Sequence, residues 1–254
     1  MTNLVRAEFR KLFSTQVWFW LLLGSLTVTG LLLWAEIGGS DRSELQDHIQ
    51  DVYTSAFNPV IPGAYIAAFV LGVLVITTET RYQTITPTLL ATPNRWKVVT
   101  AKMILCAIVG AIFSLACIVL TVVMAVPWLK SRHVDGSWGP HQVPAGLLGV
   151  FVIYILYALF GLGFGALVRN QIVAVTVGVL TLVVGQSILL AIPGVRRAYP
   201  VFPNGASYAI LNPHAYFGNG IHLMAVAGGV IVMLLWALIP AVIGAGYSLN
   251  RDIT

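Results

Sequence analysis

Charge is what this sequence has least of. Of its 254 residues only 9% are Asp, Glu, Lys or Arg, while 58% are hydrophobic. A water-soluble domain carries about 25% charged residues, so most of this surface is not built for hydration. A surface facing lipid accounts for the deficit. The net charge of +5 forms no basic stripe; the cations sit in short segments between apolar runs. That placement argues against a nucleic-acid partner and for basic residues that orient a membrane protein. Cysteine is equally scarce. Cys106 and Cys117 share one apolar run, roughly 16 Å apart along a helix, which is beyond disulfide reach, and both read as small hydrophobes. The first apolar run is too long for a cleavable signal peptide, and no small-residue cleavage site follows it.

Several catalytic signatures are missing too. Without Gly-x-x-x-x-Gly-Lys-[Ser/Thr] the chain binds no ATP through a phosphate loop. Without His-Glu-x-x-His or Gly-x-Ser-x-Gly, intramembrane proteolysis and lipase chemistry have no residues to act. Ion-coupled transporters bury ionisable groups at mid-membrane. The apolar runs here hold one charged residue, Glu36, at a run end. Any uphill work is therefore driven from outside this chain.

What is present is length. About 20 apolar residues span a bilayer as a helix, and six runs reach that size: residues 17–37, 60–78, 103–129, 145–168, 172–192 and 223–249. Trp18, Trp20, Trp34, Trp96 and Trp128 stand at or beside their ends, where indole prefers the interface. The predicted fold is an all-α polytopic membrane protein, one transmembrane domain over residues 1–254. With a cytoplasmic N-terminus, the inside segments hold nine of the fourteen Lys and Arg and the outside loops five. That bias puts both termini inside. His48, His133, His141, His214 and His222 then all fall outside, as solvated loop residues or as the makings of a metal or pH-sensing site.

Four segments outside the spans carry information. In residues 3–13, Leu4, Val5, Phe9, Leu12 and Phe13 share one helical arc and Arg6, Arg10 and Lys11 the other. This predicts an interfacial amphipathic helix (1–15) on the inner leaflet. Glu8 projects into the apolar arc, as a snorkelling surface residue or as a partner contact. In the outside stretch 40–57, Leu45, Ile49, Val52 and Tyr53 recur at helical spacing. Ser40 or Ser43 is placed to cap, and the acidic face reads as solvated. The segment 193–221 holds four prolines and five aromatics, among them Tyr199, Phe202 and Tyr208. It is expected to fold back against the bundle at the outer face, with Asn204 capping a short helix through Leu211. In the loop 79–102, Thr86-Pro87 and Thr92-Pro93 each read as an N-cap followed by proline at the first helical position. They give a short helix around 87–91, then a turn, then a helix running into the third span, and Leu89 and Leu90 of the short helix suit a groove on a partner.

Three stretches together resemble a known family. The loop reads acid-x-Arg-x-x-Thr-Ile from Glu79, then Leu-Leu-x-Thr-Pro-x-Arg-Trp from Leu89 to Trp96, then Ala101-Lys102. It resembles the cytoplasmic loop of type-2 ABC transporter permeases of the exporter class. Ala7-Glu8-Phe9-Arg10-Lys11-Leu12 resembles that family's N-terminal elbow helix. Residues 160–170, Phe-Gly-Leu-Gly-Phe-Gly-Ala-Leu-Val-Arg-Asn, resemble its tight turn between the fourth and fifth helices. One departure is Gln83, where the family usually has Gly before the loop threonine. The Gly161–Gly163–Gly165 run lies in an apolar helix, so Gly161 and Gly165 read as a small-xxx-small packing pair.

The resemblance implies that residues 79–102 carry a coupling helix. The expected contacts with a separate ABC ATPase subunit are Glu8, Glu79, Arg81, Thr84, Leu89, Leu90, Pro93 and Arg95. It also implies a second permease copy or paralogue, ATP and Mg held by the ATPase and no cofactor here, and a prokaryotic cell membrane. An amphipathic substrate (drug, antibiotic, peptide or lipid) suits span interiors with few polar groups, of which Thr27, Gln186 and Ser187 are the candidate lining. Two other readings remain at this point. One is a membrane-embedded structural or assembly protein. The other is a membrane enzyme acting on lipid headgroups through the outside histidines and the acidic loop.

Overall fold

The computed structural model describes residues 2–57, 63–82, 95–134, 143–168, 170–212, 216–217 and 221–249. The chain starts with α1 (Thr2–Phe13) and turns through Ser14 and Thr15 into α2 (Val17–Gly39). Two short helices follow, α3 (Arg42–Asp47) and α4 (Ile49–Thr54). Next come α5 (Tyr65–Arg81), α6 (Arg95–Ser131) and α7 (Val143–Val168). A π-turn, Thr181–Gly185, joins α8 (Gln171–Leu180) to α9 (Gln186–Ala191). A 3₁₀ segment, Arg196–Val201, leads to α10 (Pro203–Leu211). A two-residue antiparallel ladder then pairs β1 (Tyr216–Phe217) with β2 (Ile221–His222), ahead of α11 (Val226–Leu249).

Helices dominate because lipid offers no partner for a backbone N–H or C=O, so each must be satisfied within its own segment. This is an all-α polytopic membrane protein. Five stretches among the described residues are long and apolar enough to cross a bilayer: α2, most of α6, α7, the α8–α9 unit and most of α11. The sixth expected span, α5, has 17 residues, the short limit of what a bilayer requires (about 17–25).

The helix ends differ from the sequence expectation in ways that matter. The second helix begins at Tyr65, residues 58–62 lying outside the described set. The last begins at Val226 because Ile221 and His222 are held in the ladder. Helix α5 runs on to Arg81 and α6 starts at Arg95. Glu79, taken from the sequence as a loop residue, is therefore inside a helix, while Lys102 lies in the helix expected to run from Thr92-Pro93 into the third span. A charge ends an apolar run but need not end a helix whose side chains find ionic partners.

Helix α7 is the centre, with 61% of its most apolar stretch buried in the molecule against 39% or less for the other four long stretches. Its glycines set the spacing. A Cβ on Gly161 would overlap the Phe69 carbonyl, one on Gly72 would overlap that of Ala158, and one on Gly163 that of Ala237. Helices α5 and α11 thus meet α7 backbone to backbone, the close approach that small residues allow in lipid. The small-xxx-small reading of Gly161 and Gly165 holds, with Val73 and Ile76 filling the space over Gly165.

Both short-helix regions fold onto the far end of α7. Leu45, Ile49, Val52 and Tyr53 are buried with Leu33, Ile37, Ala125 and Leu129, so the segment 40–57 packs its apolar side on α2 and α6. Asp41, not Ser40 or Ser43, takes the N-cap position of α3, and its side chain makes no capping bond. Segment 196–211 is likewise folded in, with Tyr199, Pro203, Asn204, Ala206 and Ser207 buried. Asn204 does not cap α10. Phe202 holds the N-cap position and Pro203 starts the helix, which leaves the Asn204 amide free to point into the bundle.

The glycine contacts predict an asymmetric response to one added methyl. Gly161→Ala and Gly72→Ala must push α5 off α7, at a cost of about 1–3 kcal/mol. A Cβ on Gly24 meets nothing within 4 Å, so Gly24→Ala is expected to leave stability unchanged or slightly raised. Thermal unfolding of the three purified variants in one detergent measures the difference.

Candidate functional site

The charges missing from the spans converge at one point, on the N-terminal side of the bundle. Helix α1 lies along the start of α6 and presents Glu8 from its buried face. The end of α5 brings Glu79, and the second turn of α6 brings Lys102. Lys102 Nζ donates to Glu8 Oε2 at 2.6 Å and to Glu79 Oε1 at 2.9 Å. Lys11 Nζ donates to Glu8 Oε1 at 2.9 Å and to Glu79 Oε1 at 2.8 Å. Each lysine therefore bridges both acids, and the four formal charges cancel. Glu8, Glu79 and Lys102 are buried, while Lys11 keeps 45% of its side chain exposed at the rim.

Electrostatics favours the fully ionised arrangement. Burial pushes the Glu8 carboxyl up, but the ammonium groups of Lys102 and Lys11 outweigh it and hold it below its ordinary 4.5. Burial pulls Lys11 down, and its bonds to Glu79 and Glu8 more than restore it, so it sits above its ordinary 10.5. One atom is left over: Glu79 Oε2 is buried and has no hydrogen-bond partner among the described residues.

The cluster occupies both roots of the loop 79–102. Glu79 is three residues before the α5 C-cap, Tyr82, whose N–H donates to the Thr78 carbonyl at 2.9 Å. Lys102 stands at the other root. Arg81 reaches across to α8, its Nη1 donating to Gln171 Oε1 at 3.3 Å. Asn170 caps α8 by accepting from Ile172 N and Val173 N. The elbow helix, the loop roots and the turn before α8 are thus tied together.

Of the sequence-derived contact residues, Glu8 and Glu79 meet in this cluster and Arg81 stands beside it, exposed. Arg95 is the first residue of α6. Thr84, Leu89, Leu90 and Pro93, together with the expected short helix 87–91, lie outside the described residues. The three proposed lining residues are not brought together. Thr27 and Ser187 are exposed on the outside of the bundle, bonded to the carbonyls of Leu23 and Val183 in their own helices. Gln186 is buried in a network on α10. Asn204 Nδ2 bonds to Gln186 Oε1 and to the Leu182 carbonyl, and Asn204 Oδ1 accepts from the Tyr157 hydroxyl at 3.0 Å.

Lys11 and Lys102 as partners of the two acids were missed from the sequence, although an acid on the apolar arc of α1 signals that a cation must meet it. A second buried polar set was also missed. Ser25 Oγ lies 3.2 Å from Cys117 Sγ and 3.1 Å from the Tyr154 hydroxyl, and Ser114 and Thr121 share the α6 face of Cys117. Their spacing of three and four residues was the available signal. Of the histidines, His48, His133 and His222 are described, and no group of three potential metal ligands occurs among the described residues.

The family model described as ABC-2 family transporter protein matches residues 4–191, from α1 through α9, with the whole ion cluster and loop inside it. The chain belongs to the ABC-2 transporter family. No curated protein matches the sequence. As a member of the ABC-2 family it is a multi-pass membrane protein and the permease component of an ABC transporter, which implies an ATPase partner. Family membership favours the permease reading over the structural-protein and lipid-enzyme readings.

Two outcomes are expected of the cluster. Lys102→Met leaves two buried carboxylates on one rim lysine and should destabilise by about 3–5 kcal/mol. Glu8→Gln with Lys102→Met should lose clearly less than the sum of the single variants, a coupling that a double-mutant cycle in denaturant reads directly. The second outcome concerns pH. The Glu8 contribution is present above its ordinary 4.5 and is lost as pH falls through its lower folded value. That of Lys11 is present below its ordinary 10.5 and is lost as pH rises through its raised value. Docking of α1, followed by the distance between spin labels on α1 and α6, should hold between those limits and fail outside them.

Proposed function

We propose that this chain is the permease half of an ATP-driven exporter moving an amphipathic substrate across a prokaryotic cell membrane. It has six spans, with α5 as the second, and both termini are cytoplasmic, as the lysine and arginine bias favours. It pairs with a second copy or a paralogue, and each copy binds one ATPase subunit that holds ATP and Mg. This chain carries no cofactor of its own.

The observation that carries this reading is the bracing of both roots of the loop 79–102 by one neutral ion cluster. A loop that receives a push from a motor must not absorb it. Here Lys102 and Lys11 clamp the end of α5, the start of α6 and the elbow helix into one unit. Displacement of the loop is then passed to two spans together, as a shift between two packed arrangements requires. Leu89 and Leu90, the adjacent apolar pair between two Thr-Pro steps, are the contact for the ATPase. Thr84, Pro93, Arg81 and Arg95 flank it, and Glu8 and Glu79 fix its orientation from behind. Apolar burial of the two leucines is worth about 1.5–3 kcal/mol each.

Co-purification with the ATPase subunit, followed by an ATPase assay, tests this. Leu89→Ser with Leu90→Ser is expected to abolish recruitment and stimulation while membrane insertion stays normal, because no span is altered. Recruitment at wild-type affinity would place the interface elsewhere.

A further inference from the structure

Beside the ion cluster the molecule has a cleft of about 520 Å³, bounded by α1, the start of α2, the end of α5 and the first residue of α8. It goes beyond the coupling role, which uses only the ionic bonds themselves. Trp18, Leu21, Leu71 and Leu74 make its walls apolar, and Lys11 and Arg81 stand in its lining as exposed cations. Glu79 lines it as well, and Glu79 Oε2 is the buried oxygen with no partner. The cleft lies where an interfacial helix meets a spanning one, at the depth of lipid headgroups.

These features restrict the occupant. Its tail must be apolar, and a hydrogen-bond donor must reach Glu79 Oε2, since an unmet buried acceptor is costly. Its charge follows from the count of neighbours. Glu8 and Glu79 cancel Lys11 and Lys102, and Arg81 leaves one positive charge, the complement of a single phosphodiester. A choline headgroup has no donor. An ethanolamine headgroup donates but is cationic, so the lipid is neutral and Arg81 goes uncompensated. A hydroxylated anionic headgroup meets both demands.

We propose that this cleft is a binding site for an anionic phospholipid with a hydroxyl-bearing headgroup, of the phosphatidylglycerol type. Its phosphate pairs with Arg81 and Lys11, a headgroup hydroxyl donates to Glu79 Oε2, and an acyl chain lies along Trp18, Leu71 and Leu74.

Native mass spectrometry of the full chain in detergent, without any ATPase subunit, tests the site independently of the coupling proposal. The probes are phosphatidylglycerol, phosphatidylmethanol and phosphatidylcholine with identical chains, and glycerol 3-phosphate as a headgroup without a tail. Phosphatidylglycerol should bind about tenfold more tightly than phosphatidylcholine, the worth of one charge-assisted contact. It should also exceed phosphatidylmethanol, which has the charge but no hydroxyl. Arg81→Gln should lose most of the preference over phosphatidylcholine. Leu74→Trp, which fills the cleft, should remove binding at an unchanged melting temperature. Phosphatidylcholine binding as tightly as phosphatidylglycerol, or binding indifferent to both variants, overturns the site. Phosphatidylmethanol equal to phosphatidylglycerol removes the role of Glu79 Oε2, and glycerol 3-phosphate binding as well as the lipid shows a site for a soluble phosphate.

Discussion

In hydrocarbon no expulsion of water presses one helix on another, so this bundle depends on how near α5 and α11 can come to α7. Dispersion falls steeply with separation, and a gap of half an ångström to one ångström forfeits a quarter to a half of each contact. Gly72, Gly161 and Gly163 remove the side chains that would hold the backbones apart. Phe69, Phe160 and Phe164, with ring centroids 5.1 to 6.1 Å apart, fill the space beside them. The remaining elements attach to this three-helix seam: α2 and α6 along one side, α10 with the short helices α3 and α4 over one end, α1 under the other.

Polar groups inside such a seam are expensive, and among the described residues three buried sets of them bond from helix to helix. Ser25, Cys117 and Tyr154 join α2, α6 and α7. Asn204, Gln186 and Tyr157 join α10, α9 and α7. The four charges join α1, α5 and α6. Each set links helices distant in sequence, so each acts as a registration point: a bundle that slid by one turn would strand a buried donor or acceptor. The ion cluster adds strength as well as register, because its two acids meet two cations apiece.

Much of this was legible in the sequence. The long apolar runs, the amphipathic arc of α1 and the fold-back of 196–211 follow from composition and period, which act locally. Helix ends were less legible. Glu79 looks like the end of a span because a charge ends an apolar run; only its pairing with lysines on two other helices lets the backbone continue past it. Asn204 is a second case. An Asn beside Pro before an apolar stretch satisfies every rule for a cap, and nothing local tells that its amide is needed by Tyr157 and Gln186 instead. In the stretch 40–57 the helical period and the solvated acidic face were legible, whereas the partner of the apolar face, α2 and α6, was not. The candidate site divides in the same way: Glu8 was visible as an acid on an apolar arc and Glu79 through the resemblance of its loop, and Lys11 and Lys102 as their partners were not.

The π-turn at Thr181–Gly185 amounts to one residue too many for an α-helix. A helix advances about 100° per residue, so everything after the insertion is rotated by about that angle relative to an uninterrupted helix. The extra residue also loosens the local ladder, and the Leu182 carbonyl is the one that accepts from Asn204. Phase and satisfaction are thereby coupled. The rotation that turns Gln186 inward comes with the carbonyl that holds its neighbour, so the α8–α9 span carries its own fixed wrench, set by length and not by side-chain chemistry. In this protein the face that α9 shows to its neighbours is a matter of counting residues.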